Sequence, residues 1–458
     1  MIQTILLWGQ RVLMIVSAVV VIFLVIKISR AIAIRKERMK YTPKKKLKHK
    51  ASGIIFGKSG LFRLCSPEKS EGMVIAFGGT GSGKTSALLI PTLNAWGKKG
   101  SGTALVIDIA GDIGRNTTNP NRVTYEPEDA NTPPYFVFQA IDVIVDETEK
   151  NERLMQLAFL LIPNEIGDSD VTFFYKSEAR KMLQASLIAY YYAGLDFVAI
   201  CQQIVGSGFE LLIADIIASK NVLANRLIAG FEGINEKTVA ATKQELDKAV
   251  ILFATNDKIA RSVRRPSEGE AFVSPYILEN RSIYIAIDDV KLELYAPLLR
   301  LIVAQSLEYL ATRPNKAMPP ILLCLDEFVS LGKLDILPAL RKLRKKNVRI
   351  AMFTQSLADL DLVYGKAERQ VILDNCTYKI VLSASDYDTQ LYFSNLAGER
   401  KVVRTTYTSS HDGGSESQTL QREKIIFPEQ FGRLGDSLVL FYPGGVMELR
   451  KNFYFQRW

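Results

Sequence analysis

The chain has 458 residues, 48% of them hydrophobic and 23% charged. That length exceeds one ordinary domain, and that composition excludes both a disordered chain and a multi-span membrane protein. The net charge of +10 invites a nucleic-acid reading, but eleven Lys or Arg against one acid, Glu37, fall between Lys27 and Lys50. The rest of the chain is therefore neutral, and the basic balance describes one short segment. The four cysteines, Cys65, Cys201, Cys324 and Cys376, lack the spacing of a metal clip and read as reduced thiols of a cytosolic domain. With only His49 and His411 present, a histidine metal site or a Ser-His catalytic pair is hard to build.

The first element is an apolar run from Val12 to Ile28, broken only by Ser17 and Lys27. At about 17 residues it is at the short end for a spanning helix of roughly 20. The positive charge follows the run instead of preceding it, which disfavours a cleaved signal peptide and marks the cytoplasmic side. The expectation is a single span, with the N-terminus outside and the body inside. The Lys44–Lys50 cluster would then set topology and attract anionic inner-membrane lipids.

From about Ala51 onward, short apolar runs alternate with helical patterns. The strand-like runs are Met73–Phe77, Ala104–Ile107, Tyr135–Phe138, Ser282–Ile287, Ile321–Leu325, Val348–Phe353, Lys379–Leu382 and Ser437–Tyr442. Several are near-continuously hydrophobic, as in a parallel sheet covered on both faces. Helical spacing appears in Ser86–Ala95, Leu294–Ala311 and Ile336–Lys346, giving an α/β arrangement with parallel crossovers. The stretch from about Glu147 to Pro266 differs, with 3.6-residue apolar spacing in Ala179–Ala193, Phe209–Ser219 and Thr238–Ala254. The expected organisation is an anchor with a basic juxtamembrane segment over residues 1–50, a nucleotide-binding α/β domain in two parts over 51–150 and 267–458, and an all-α domain at 151–266 between them. The polar stretch Thr405–Glu423 reads as a mobile surface loop.

The strongest chemical signal is Gly78-Gly79-Thr80-Gly81-Ser82-Gly83-Lys84-Thr85, a G-x-x-x-x-G-K-[ST] phosphate loop entered by an apolar strand and left by a helix starting at Ser86. Its glycines let backbone N–H groups face the phosphates, and the helix N-terminus adds partial positive charge. Lys84 is the expected ligand of the β- and γ-phosphates of ATP, and the Thr85 hydroxyl a ligand of Mg²⁺. Such a loop needs an acid at the end of a buried strand. Ile321-Leu322-Leu323-Cys324-Leu325-Asp326-Glu327 supplies Asp326 as the magnesium partner and Glu327 as the base that polarises the attacking water. Gln355, in Thr354-Gln355-Ser356 after the next strand, is placed to sense the γ-phosphate, with a helix cap at Ser356 as the plainer reading. The basic run Arg341–Lys346 reads as a surface helix, or as the source of an arginine finger for a neighbouring subunit, with Arg344 ahead of Arg341 and Arg349.

These motifs together resemble those of the type IV secretion coupling proteins, the TraG/TraD-type ring ATPases of conjugation. The resemblance rests on the anchor, on Phe77–Thr85, on Asp326-Glu327-Phe328-Val329-Ser330-Leu331-Gly332-Lys333-Leu334, on Thr354-Gln355-Ser356 and on Phe173-Phe174-Tyr175-Lys176-Ser177-Glu178-Ala179-Arg180. It implies a RecA-like P-loop domain with an inserted all-α domain, preceded here by one N-terminal transmembrane helix in the bacterial cytoplasmic (inner) membrane. It also implies a homo-hexamer with ATP sites between subunits and DNA in a central channel, and Arg344 matches the family's trans-acting arginine by position. Two features depart from the family. Asp108-Ile109-Ala110-Gly111-Asp112 lacks a basic residue that many members carry after the second strand, and there is room for one span, not two.

The leading expectation is an ATP-driven pump delivering DNA with its relaxase to the proteins of a type IV secretion channel. The alternatives are a coupling ATPase for protein effectors and a non-hydrolysing docking receptor. Glu327 and Gln355 argue against the receptor, since a purely structural site needs neither. A chromosome-partitioning translocase would carry several spans and a DNA-reading end module, and no Asn-Lys-x-Asp segment supports a GTPase.

Overall fold

The computed structural model describes Met14, residues 16–18, 20–29, 53–58, 64–65, 72–96, 102–109, 111–165, 167–410 and 413–456; side chains are not described for strand residues 64, 65, 404–418 and 420. The basic cluster 44–50, His49, His411 and Ala110 lie outside these residues. Residues 20–29 are helical, with Val20 to Ile26 and Ile28 carrying exposed apolar side chains. No helix among the described residues is long and apolar enough to cross a membrane.

One sheet organises the α/β part. Its strands are β1 (Gly57–Lys58), β2 (Leu64–Cys65), β3 (Val74–Phe77), β4 (Thr103–Ile109), β5 (Arg122–Tyr125), β6 (Ser282–Ile287), β7 (Ile321–Leu325), β8 (Val348–Thr354), β9 (Tyr378–Val381), β12 (Ser437–Tyr442) and β13 (Gly445–Arg450). A separate hairpin joins β10 (Glu399–Ser410) to β11 (Gly413–Lys424). The sheet order is β2-β1-β13-β12-β9-β3-β8-β7-β4-β6-β5. Neighbours from β9 to β5 pair in parallel, and those from β2 to β9 are antiparallel. The sheet is therefore mixed, not wholly parallel: one hairpin, β12–β13, returns along β9 and carries β1 on its outer side.

Burial of both faces follows from the strand composition. Ile75 and Phe77 of β3 enter one hydrophobic core with Leu105, Leu323 and Ile350, while Val74 and Ala76 enter a second core with Val106, Cys324 and Phe353. Every residue of β7 and β8 is buried, which explains why β7 is apolar throughout and β8 is apolar except for Arg349 and Thr354. Cys201, Cys324 and Cys376 are free and buried.

Between Glu147 and Ser262 the elements are all helical, from Glu147–Leu161 through Asp170–Tyr192, Phe197–Gly206, Phe209–Ala218 and Val222–Ile228 to Glu236–Thr255 and Asp257–Ser262. Most of these helices start at a side-chain cap, among them Asp146, Ser169, Asp196, Asn221, Asn235 and Asn256, each accepting an N–H of the first turn. Their apolar faces join the first core, so the helical segment closes over one face of the sheet.

Two sequence expectations are corrected here. Tyr135–Phe138 is not a strand: only Tyr135 bridges Val273, because Pro133 and Pro134 just before it have no N–H to extend a ladder, and Phe138 begins a helix. The polar stretch Thr405–Glu423 is not a loop but the greater part of the β10–β11 hairpin, paired from Glu399↔Lys424 to Ser410↔Gly413. Thr405, Thr406, Tyr407 and Thr408 are β-branched or aromatic, and this preference prevails over low hydrophobicity.

Candidate functional site

The site grows from the C-terminal ends of three adjacent strands. β8 lies between β3 and β7, with Phe77 in register with Thr354 and Leu325 with Met352. The Gly78–Thr85 loop leaves β3 and the Asp326-Glu327 pair leaves β7, so the two motifs face each other across one strand. The Gly78 N–H donates to the Thr354 carbonyl at 3.1 Å, fastening the loop to the end of β8. Gly83 turns the chain with φ +96°, a left-handed value that favours glycine. The chain then winds as a π-helix over Lys84–Leu89 before the α-helix Ile90–Trp96. Such wide turns are often found at functional sites.

The charged groups converge here. The Lys84 ammonium is buried, donates to the Gly78 carbonyl at 2.7 Å and lies 3.5 Å from Glu327 Oε1. The Thr85 hydroxyl donates to Asp326 Oδ2 at 3.2 Å, joining residues 241 apart in sequence. Asp326 Oδ1 and Ser82 Oγ are buried with no hydrogen-bond partner among the described residues. Burial, and next the charge of Glu327, push the Asp326 carboxyl up to about 6, against the opposing pull of Lys84 and Thr85. A buried, unpartnered carboxylate oxygen beside a hydroxyl suits a hard divalent cation, so the residues present fit Mg²⁺. Glu327 itself holds a left-handed backbone, φ 48° and ψ 46°, unusual for a residue with a side chain and typical of strained functional positions.

The loop opens on a cavity of about 340 Å³ lined by Gly79–Ser86, Ile90, Asp112, Asn116, Glu327 and Tyr454. All expected phosphate-binding positions except Gly78 line it. Asp326 sits behind, against Thr85. Gln355 is exposed directly after Thr354, whose carbonyl anchors Gly78, and Ser356 caps the next helix through a box with Asp359. Gln355 thus flanks the loop without lining the cavity.

Arg344 lies elsewhere. It is exposed in the turn Leu343–Lys346, just before β8 begins, whereas the loop lies at the other end of that strand. β8 has 7 residues and so separates the two by about 20 Å. Arg341 is likewise exposed on the helix Ile336–Lys342, but Arg349 is buried in β8 and donates from Nε to the Gly72 carbonyl at 2.9 Å, which removes it as a finger.

The departing segment after β4 has a structural account. Asp108 is buried, its Oδ1 and Oδ2 accepting the Ile113 and Gly114 N–H at 3.0 and 2.6 Å to cap the short helix Asp112–Asn116. Burial raises its carboxyl, with those two backbone bonds acting against the rise. That helix brings Asp112 and Asn116 to the cavity wall. Neither Asn116 nor Tyr454 was singled out from sequence; the one available signal for the latter, the aromatic run Phe453-Tyr454-Phe455, went unused.

A sheet of this order with a phosphate loop after β3 and an acid pair after β7 defines a P-loop nucleotide-binding fold. The chain belongs to the type IV secretion-system coupling proteins, matching the model of that family's DNA-binding domain over residues 64–441. It is 25% identical over 431 residues to the protein VirD4 of Rhizobium radiobacter, covering 88% of this chain and 60% of that one. It is 24% identical over 400 residues to the conjugal transfer protein TraG of the same organism, covering 81% and 60%. The chain thus spans less than two thirds of the length of these relatives. Among solved structures it is similar to the bacterial conjugative coupling protein TrwBdeltaN70 in its unbound monoclinic form, with a TM-score of 0.72 at 20% identity over 89% of this chain and 92% of that one. It is similar also to the plasmid coupling protein TrwB in complex with ADP and Mg²⁺, with a TM-score of 0.71 at 19% identity over 90% and 93%.

Proposed function

We propose that the chain is a membrane-anchored coupling ATPase that hydrolyses ATP to deliver DNA, with its relaxase, into a type IV secretion channel. The observation that carries the reading is the Thr85–Asp326 contact beside Lys84 and Glu327. Four residues from two distant motifs meet where a phosphate loop opens, and this is the set that phosphoryl transfer needs. The loop N–H groups and Lys84 would hold the phosphates, while Thr85 and Asp326 would hold Mg²⁺, which would neutralise phosphate charge. To reach a phosphate, the Lys84 ammonium exchanges Gly78 O or Glu327 for a phosphate oxygen. Glu327 then orients and polarises the attacking water. Gln355, at the edge of the loop, reports the γ-phosphate.

The position of Arg344 supports a shared site. At about 20 Å from its own loop, Arg344 is read as the residue that serves a neighbour's, in a ring that is a homo-hexamer by family resemblance. The exposed apolar residues from Val20 to Ile28 support the single inner-membrane span, with the soluble parts in the cytoplasm. A protein cargo is favoured by one feature. Val171, Phe173 and Phe174 stand exposed at the start of the helix Asp170–Tyr192, and clustered exposed apolar side chains suit a protein partner.

The deciding experiment is ATPase rate against protein concentration, with and without single- and double-stranded DNA. The proposal expects a steep concentration dependence and stimulation by DNA. Rates linear in protein and indifferent to both DNAs would sink the shared-site DNA motor.

A further inference from the structure

The segment after β13 folds back onto the phosphate loop. The Lys451 N–H donates to the Asp436 carbonyl at 2.8 Å and its ammonium to the Gly435 carbonyl at 2.6 Å, and both Lys451 and Asn452 are buried. Phe453 then reaches Gly83: a Cβ on that glycine would stand 3.2 Å from the edge of the Phe453 ring. The Tyr454 N–H donates to the Ser86 carbonyl at 3.0 Å. Phe455 packs against both neighbours, 5.2 Å from Phe453 at 25° and 5.3 Å from Tyr454 at 80° between ring planes. Tyr454 is therefore fixed by a backbone bond and by rings, yet it remains 40% exposed and lines the same cavity as Gly79–Ser86.

A positioned aromatic ring left partly open, beside a phosphate-binding loop and lining the same cavity, suits a flat π-partner tethered to those phosphates. We infer that Tyr454 is the platform for the base of the bound nucleotide, with Phe453 and Phe455 bracing it; the inference rests on the nucleotide site proposed above. Of the other polar side chains lining the cavity, Asp112 pairs with Arg115 at 2.9 Å and the Asn116 amide donates to the Asp112 carbonyl at 2.8 Å. Stacking accepts any base because every base has a π-face. Tyr454 therefore adds affinity for purine nucleotides without distinguishing adenine from guanine.

The test is calorimetric titration of the full chain in detergent with the magnesium complexes of ATP, GTP and inorganic tripolyphosphate, which lacks base and ribose. Tyr454→Ala should weaken ATP and GTP by about 5- to 50-fold and leave tripolyphosphate unchanged. Tyr454→Phe, which keeps the ring, should bind all three like the parent chain. An equal loss for tripolyphosphate would make the segment a brace of the loop, and unchanged ATP affinity would remove it from the site; either overturns the inference. A loss for only one purine would overturn its tolerance of base. Failure of the parent chain to bind any of the three would instead bring down the underlying nucleotide reading.

Discussion

The ring of Phe328 stacks on that of Tyr364, centroids 5.3 Å apart and planes at 11°. Phe328 follows the acid pair, and Tyr364 belongs to the helix Leu357–Asn375 that begins just after Gln355. The Tyr364 hydroxyl also accepts the Leu334 N–H at 3.2 Å, and Lys333 pairs with Glu368 at 2.9 Å. From the other side, Arg300 Nε donates to the Leu331 carbonyl at 3.2 Å. The segment Phe328–Leu334 is thus a clasp between the Asp326-Glu327 pair and the helix that starts after Gln355. Tyr364→Phe keeps the stack but strands a buried N–H. It should cost about 1–3 kcal/mol in urea denaturation while nucleotide binding persists.

Glu327→Gln removes the proposed base and keeps size and shape. Binding of MgATP should be retained and turnover should fall at least 10²- to 10⁴-fold, roughly the range of general-base catalysis. Equilibrium binding and steady-state phosphate release, measured on the same sample, check this. Turnover at the parent rate would refute the assigned base.

Arg344 should act on a neighbour. Arg344→Ala alone should lower turnover by about 10³-fold or more. Mixing that variant with Glu327→Gln should restore measurable activity, because some interfaces then pair an intact Glu327 with an intact Arg344 from the adjacent copy. No recovery on mixing, under conditions where subunits exchange, would place Arg344 outside the site.

Glu128 offers a pH prediction. It pairs with Lys258, Lys291 and the Tyr295 hydroxyl, and these bonds, that to Lys258 first, hold its carboxyl down at about 2. A depressed native value means the unfolded chain binds the proton more readily. The stabilisation is therefore complete above the ordinary value of 4.5 and disappears as pH falls towards about 2. Glu128→Gln should lower the denaturation midpoint near pH 7, with the difference from the parent shrinking steadily below about pH 4. A difference independent of pH would mean that packing, not charge, holds these elements together.

The buried strands around the site were legible because their burial is written locally: Ile321–Leu325 is apolar at every position and every position is buried. The direction of β12 was not, since an apolar run reads the same along either sense of a sheet. Tyr135–Phe138 misled because aromatic content outweighed the two prolines before it. The β10–β11 hairpin escaped because its strands are polar and pair only with each other. In the site, both motifs were visible from their own residues, but the contact of Thr85 with Asp326 is set by strand order across the sheet. Arg349 was weighed as a finger beside Arg344, and only its burial in β8 separates them.

β1 joins the start of the sheet to the strand that leads back to the phosphate loop. It is tied to β13 through Lys58↔Arg450, and Gly57 permits so close an approach that a Cβ there would lie 2.7 Å from the Arg450 carbonyl. Three residues past Arg450, Phe453 rests on Gly83. The chain that enters the sheet at β1 and the chain that leaves it toward the phosphate loop therefore run side by side, β1 on one side of β13 and β12 on the other.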